Sequence, residues 1–374
     1  RVFLASIHSV STKGSALSRA PQPTSARKLG GGDREVEREW QARQGVPTMF
    51  ALGLRLGVLA PIPRSDEAGV VCCGMRGDSR APARTVLRMD TSNVITAMRL
   101  CAPGQGALRA VGGSGLRDTV GAADDVRSSI AGSPAAAASW VRNNIQAYPS
   151  VSFRYVCVGN EVAGGAAQNL APAMENVHAA LAAAGLGHIK VTTSVSQAIL
   201  GVYSPPSAAQ FTAEAQGFMG PVLQFLSRTG SPLMANIYPY LAWACNPSAM
   251  DISHGAVAGP GTEGHGRASG YQHLFDTGRD AFDVAMGRNG GSGVPLVVSE
   301  SGWPSGGGVQ ATPANARVYN QYLVNHVRRG TPRHPGAIET YLFSMFNENQ
   351  KESGVEQNWG LFYPNMQRVY PISF

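Results

Sequence analysis

The sequence predicts a (β/α)8 barrel behind a disordered amino-terminal extension. Three observations predict it. Eight short apolar runs lie between residues 70 and 346, amphipathic segments fill most of the intervals, and carboxylates stand where two of the runs end. The runs are Val70–Cys73, Ala97–Cys101, Thr119–Ala122, Phe153–Val158, Lys190–Ser194, Leu233–Tyr238, Leu296–Ser299 and Glu339–Phe346. Their length and β-branched content suit buried parallel strands.

The helical segments are Arg84–Asn93, Pro134–Tyr148, Leu170–Ala184, Ala213–Thr229, Tyr271–Gly287 and Ala314–Arg329. Pro134 and Pro172 sit at or near helix starts, where a missing N–H does no harm. Gly185 and Gly330 stand just beyond helix ends. The longest crossover, Leu241 to Pro295, has room for a glycine-rich excursion near Asn246–Ser269. A doubly wound open sheet is the alternative. No glycine-rich phosphate loop follows the first run, which counts against a nucleotide-binding version.

The domain boundary falls at 68/69. Residues 1–46 are rich in Ser, Gly, Arg and Pro without a sustained period and read as disordered. Met49–Pro63, MFALGLRLGVLAPIP, looks like the apolar core of a signal peptide interrupted by Arg55. A start at Met49 implies secretion, with maturation near Ala68; a short helix packed on the domain is the alternative. Residues 69–374 form the folded domain.

Composition excludes several classes. No run of about twenty apolar residues exists, so no membrane-spanning helix is expected. The net charge of +7 comes mostly from residues 1–68, which hold ten Lys and Arg against six Asp and Glu. The basic residues are scattered, without a patch or an aromatic ladder, so nucleic acid is not an expected partner. Five cysteines, at 72, 73, 101, 157 and 245, are too few for a disulfide scaffold and lack zinc spacing. The histidines are dispersed as well. Neither metal nor cofactor is expected.

The chemistry concentrates in two stretches. In VPLVVSESGWPSGGG (residues 294–308) an apolar strand ends at Glu300, and Gly302-Trp303-Pro304 begins a loop. In FRYVCVGNE (residues 153–161) a second strand ends in Glu161. A carboxylate at the end of a buried strand is costly without a partner or a task. An ion pair is one reading of each; a catalytic group at the carboxyl end of a barrel strand is the other. The two glutamates are 139 residues apart, so only a closed barrel brings them together. Two carboxylates facing across a cleft are what glycoside hydrolysis needs.

The stretches LVVSESGWPSGG, YVCVGNEV, NIYPYLAW, ETYLFSMFNENQK and NWGLFYPN resemble plant glycoside hydrolase family 17, the endo-β-1,3-glucanases. The resemblance runs from about Gly69 to Phe374 and leaves residues 1–46 unmatched. It implies Glu161 as proton donor and Glu300 as nucleophile of a retaining hydrolase acting on cell-wall β-glucan. It also implies Asn160 near the sugar 2-hydroxyl and Tyr238 directed at the nucleophile; a turn asparagine and a core tyrosine are the plain alternatives. Glu348, Lys351 and Glu356 match a charged cluster flanking the site, though loop charges are often only solvated. Trp303 lines the cleft or caps the barrel core. The acid must keep its proton near neutral pH while the nucleophile stays ionised.

The leading expectation is a secreted, monomeric endo-1,3-β-glucanase; the alternatives are an enzyme cutting mixed 1,3;1,4-β-glucan and a weakened relative that binds glucan. GVEQNWGLFYPN resembles the 1,3-specific branch more. VVCCGM and MRLCAP carry Cys73 and Cys101 where the family pattern has tyrosine, which motivates the third.

Overall fold

The computed structural model describes residues 97–245, 247–248, 252, 271 and 273–374, together with the backbone of 57–58, 61–62 and 73–74. Seven strands run parallel, each paired with the next in sequence: β1 (Ala97–Leu100), β2 (Arg117–Ala122), β3 (Ser152–Asn160), β4 (Lys190–Ser196), β5 (Leu233–Asn236), β6 (Leu296–Ser301) and β7 (Thr340–Leu342). Sequential parallel pairing with helical crossovers is the barrel topology. Each of these strands lies within or overlaps one of the predicted apolar runs.

The ring's two edges are joined unexpectedly. Gly57–Val58 pairs antiparallel with the end of β1, at Leu100, and with Cys73–Gly74. Pro61–Ile62 pairs antiparallel with β7. Both short strands come from the stretch assigned by sequence to the extension. The expected first strand is described only at Cys73–Gly74; the rest of it, residues 1–56, the Arg84–Asn93 helix and most of the excursion at 246–269 lie outside the described residues.

The helices cover the sheet from outside: α1 (Gln105–Val111), α2 (Asp124–Gly132), α3 (Pro134–Val141), α4 (Leu170–Ala183), α5 (Ala213–Thr229), α6 (Pro239–Ala244), α7 (Leu274–Arg288) and α8 (Pro313–His326). Their ends follow local chemistry. The hydroxyls of Ser133, Thr212 and Thr312 accept from the amides of Ala136, Ala215 and Asn315, and α3 and α8 open with proline. Gly230 closes α5 at φ 62°, a left-handed conformation that glycine adopts without a Cβ clash. Sequence periodicity misses α1, α2 and α6, which have six to nine residues each, too few turns to establish a period. Among the described residues no helix is long and apolar enough to cross a membrane.

One core position is at odds with its surroundings. Asp118 in β2 stands between Met98 and Phe153 and is wholly buried. Among the described residues neither of its carboxyl oxygens has a hydrogen-bond partner. Burial pushes its carboxyl up to about 8; the Thr119 amide nearby opposes this, without reaching hydrogen-bond geometry. An unfolded aspartate titrates near about 4. Between those values the folded chain keeps a proton that the unfolded chain gives up. The Asp118 contribution to stability is therefore fully present below about pH 4, falls as pH rises to about 8, and then levels. Asp118→Leu is expected to stabilise by on the order of 3 kcal/mol at pH 7. Melting curves at pH 5 and pH 7.5 check this: the gain must be larger at pH 7.5, and an equal gain at both would refute the titration account.

Candidate active site

The carboxyl ends of β1, β3, β4, β5 and β6 converge on one buried polar network. Glu161 follows the last residue of β3. Its backbone is left-handed at φ 56°, two residues after Gly159 at φ 78°. A non-glycine residue there is strained by roughly 1–3 kcal/mol, a cost that clusters at functional sites. The Glu161 amide donates to the Ser194 carbonyl at 2.8 Å, which ties this turn to β4. Its Oε1 accepts from Asn236 Nδ2 at 3.0 Å.

Glu300 lies within β6, 6% exposed. Its Oε1 accepts from Arg99 Nη1 at 3.1 Å, and its Oε2 accepts from the Tyr238 hydroxyl at 2.6 Å. A guanidinium and a phenol that both donate to one carboxylate favour its ionised form. The β5–β6 ladder is irregular here: Ala235 pairs with Val298, but Asn236 pairs with Glu300. The residue passed over is Ser299. This irregularity lets Ser299 and Glu300, successive in sequence, both reach the network. Gly302 follows because a Cβ there would stand 2.2 Å from the Phe343 carbonyl oxygen.

Asn160 joins the two glutamates. Its Oδ1 accepts from Arg99 Nη2 at 2.8 Å and from Asn236 Nδ2 at 3.2 Å. A hydrogen-bonded path thus runs from Glu161 through Asn236, Asn160 and Arg99 to Glu300 and Tyr238. Below it, Asn236 Oδ1 accepts from the hydroxyls of Ser194 at 2.9 Å and Ser299 at 2.7 Å.

The other expected residues divide. Glu348 and Lys351 form a buried ion pair at 2.5 Å, not a solvated loop pair. The Lys351 ammonium sits 4.6 Å from the centre of the Phe343 ring, which contacts the Tyr238 ring edge-on at 6.0 Å. This pair therefore abuts the side of the site that holds Tyr238. Glu356 is half-buried in the short turn Val355–Gln357. Trp303 is corrected: it is wholly buried, its Nε1 donates to the Gln310 carbonyl, and it packs on Tyr240, Trp243 and Tyr319. With no exposed face it caps the core and cannot line a cleft. Cys101 is half-buried just after β1, while the side chain of Cys73 lies outside the described residues.

Sequence reading missed Arg99, Asn236, Ser194 and Ser299. Arg99 left one signal, a charge inside the apolar run AMRL. A cation there must be buried, and a buried cation needs a carboxylate.

A parallel barrel with two carboxylates in one network at its carboxyl end is an arrangement that suits a glycosidase. The chain belongs to glycosyl hydrolases family 17, whose profile matches residues 70–374. Lichenase-2 of Hordeum vulgare is 70% identical over 312 residues, 83% of this chain and all of that one. The acidic isoform of glucan endo-1,3-beta-glucosidase from Zea mays is 45% identical over 337 residues, covering 89% of this chain and 99% of that one. Among solved structures, one from a study of two plant beta-glucan endohydrolases with distinct substrate specificities aligns with a TM-score of 0.78 at 72% identity. That alignment covers 80% of this chain and 98% of the other. CJP38, a beta-1,3-glucanase and allergen of Cryptomeria japonica pollen, aligns with a TM-score of 0.75 at 37% identity, covering 80% and 97%. The protein is a glycosidase of this family.

Proposed function

We propose that the chain is a retaining endo-hydrolase of β-glucan, with Glu300 as nucleophile and Glu161 as acid and then base. The observation that carries this is the path joining the two glutamates through Asn236, Asn160 and Arg99. Glu300, held by Arg99 and Tyr238, attacks the anomeric carbon while Glu161 passes its proton to the departing glycosidic oxygen. A covalent glycosyl-enzyme results. Glu161, now a carboxylate, takes a proton from the water that releases the sugar. Asn160 is suitably placed beside Glu161 to meet the sugar 2-hydroxyl, and the Glu348–Lys351 pair flanks the substrate.

For the linkage, our reading is mixed 1,3;1,4-β-glucan. Its support is the 70% identity to a lichenase, against 45% to the maize 1,3-glucanase. The 1,3-glucan reading keeps support from the carboxyl-terminal GVEQNWGLFYPN and from the relatives named 1,3-glucosidases. Reducing-sugar release from mixed-linkage cereal glucan and from laminarin decides between them. Faster release from the mixed-linkage polymer is expected; a preference for laminarin restores the 1,3 reading. Proton NMR of the first product should show the β-anomer, and an α-anomer would exclude retention.

We take residues 69–374 as the catalytic domain, supported by the family match from residue 70. One chain supplies the whole network, which suits a monomer. Secretion is supported by the signal-like run at 49–63, although Gly57–Val58 and Pro61–Ile62 within it pair with β1 and β7 and would be lost on cleavage near Ala68.

A further inference from the structure

We propose that Asn236 is the positioning residue that fixes how Glu161 presents its proton. The inference rests on Glu161 being the acid. Asn236 is 1% exposed, and the two serines that bond it, Ser194 and Ser299, are wholly buried. Its amide could in principle face either way. Arg99 decides it: a guanidinium only donates, so Asn160 Oδ1, which accepts from Arg99 Nη2 at 2.8 Å, must meet Nδ2 and not Oδ1 of Asn236. Oδ1 then faces the hydroxyls of Ser194 at 2.9 Å and Ser299 at 2.7 Å, which also lie 2.7 Å from each other. One Nδ2 hydrogen is donated to Glu161 Oε1 at 3.0 Å and the other to Asn160 Oδ1 at 3.2 Å.

The consequence for Glu161 is chemical. An oxygen that accepts an N–H bond at 3.0 Å has no room on that side for a proton of its own. A proton on Oε1 would have to share that oxygen with the Asn236 bond, so we place the carboxyl proton on Oε2, the oxygen assigned to the substrate. When the proton has gone to the leaving group, the same N–H steadies the carboxylate on Oε1, and Oε2 is ready to take a proton from water. Asn236 and the hydroxyls that face its Oδ1 belong to three neighbouring strands: Ser194 of β4, Asn236 of β5 and Ser299 of β6. Ser299 reaches Asn236 through the irregular β5–β6 pairing. That irregularity serves the acid as well as the nucleophile.

The test compares kcat/KM on two substrates: a β-glucan, and an aryl oligoglucoside whose phenolate leaves without a proton. In Asn236→Ala, kcat/KM on glucan should fall about tenfold or more, while on the aryl substrate it should fall less than about threefold. Ser194→Ala/Ser299→Ala keeps Asn236 but removes the partners of its Oδ1, and it should show the same split between the substrates. This variant carries the test if Asn236→Ala does not fold. Equal losses on both substrates would overturn the proposal. Glu161→Gln is the control for the underlying reading: it must lose glucan hydrolysis while keeping much of the aryl reaction. If it loses both alike, Glu161 is not the acid, whatever Asn236 does.

Discussion

Replacing Glu300 with glutamine is expected to remove turnover on every substrate, by about 10⁵-fold or more. Glutamine keeps the volume and leaves an oxygen that Arg99 or Tyr238 can still bond, so the fold should survive. What it lacks is the charged oxygen that attacks the anomeric carbon. Good leaving groups cannot compensate, because the missing part is the nucleophile. Added azide should partly restore reaction on an activated aryl oligoglucoside by attacking directly, and the product should be the α-glycosyl azide. Activity near the parent value, or a β-azide, would show that Glu300 does not attack the sugar.

Arg99 is expected to be the next most sensitive position. Its Nη1 donates to Glu300 Oε1 and to the Ser299 carbonyl, each at 3.1 Å, and its Nη2 donates to Asn160 Oδ1 at 2.8 Å. Lysine preserves the charge but cannot reproduce this fork. Arg99→Lys should cost about a hundredfold in kcat/KM, the scale of losing one preorganised donor at a reacting group. Arg99→Leu goes further, because it strands a buried carboxylate. Breaking such a pair by removing one partner costs about 3–5 kcal/mol. Thermal unfolding separates the two effects. The double variant Arg99→Leu/Glu300→Gln should recover much of the lost melting temperature without recovering activity. A lysine variant as active as the parent would mean that charge alone suffices.

The two glutamates were legible in sequence because a charge ending a buried apolar run demands an explanation, and 161 and 300 each end one. The strands were legible for the same reason: YVCV and LVVS leave few alternatives. Asn236, Ser194 and Ser299 gave no comparable signal. A small polar residue in MANIYPY, TTSVS or LVVSES reads as an ordinary strand residue, and its meaning arises only when strands 42 and 63 residues apart become neighbours. The Ser299 contribution also depends on a register irregularity, which no alternation pattern announces. Trp303 failed differently. A tryptophan after a strand end can turn to the cleft or to the core, and sequence does not fix its direction. Tyr240, Trp243 and Tyr319 do, and they lie up to 63 residues away. Glu348 and Lys351 carried the i,i+3 spacing of a pair, but not its burial.

The aromatic packing around Trp303 has an optical consequence. Of five tryptophans in the chain, Trp243, Trp303 and Trp359 all contact the Tyr240 ring. Trp359 also lies 5.0 Å, centre to centre, from Tyr238, whose hydroxyl holds Glu300. Intrinsic emission is therefore weighted towards one end of the barrel. A denaturation curve followed by fluorescence reports the loosening of that end, whereas far-ultraviolet dichroism reports the helices. Where the two curves separate, the catalytic end is opening before the rest of the domain unfolds.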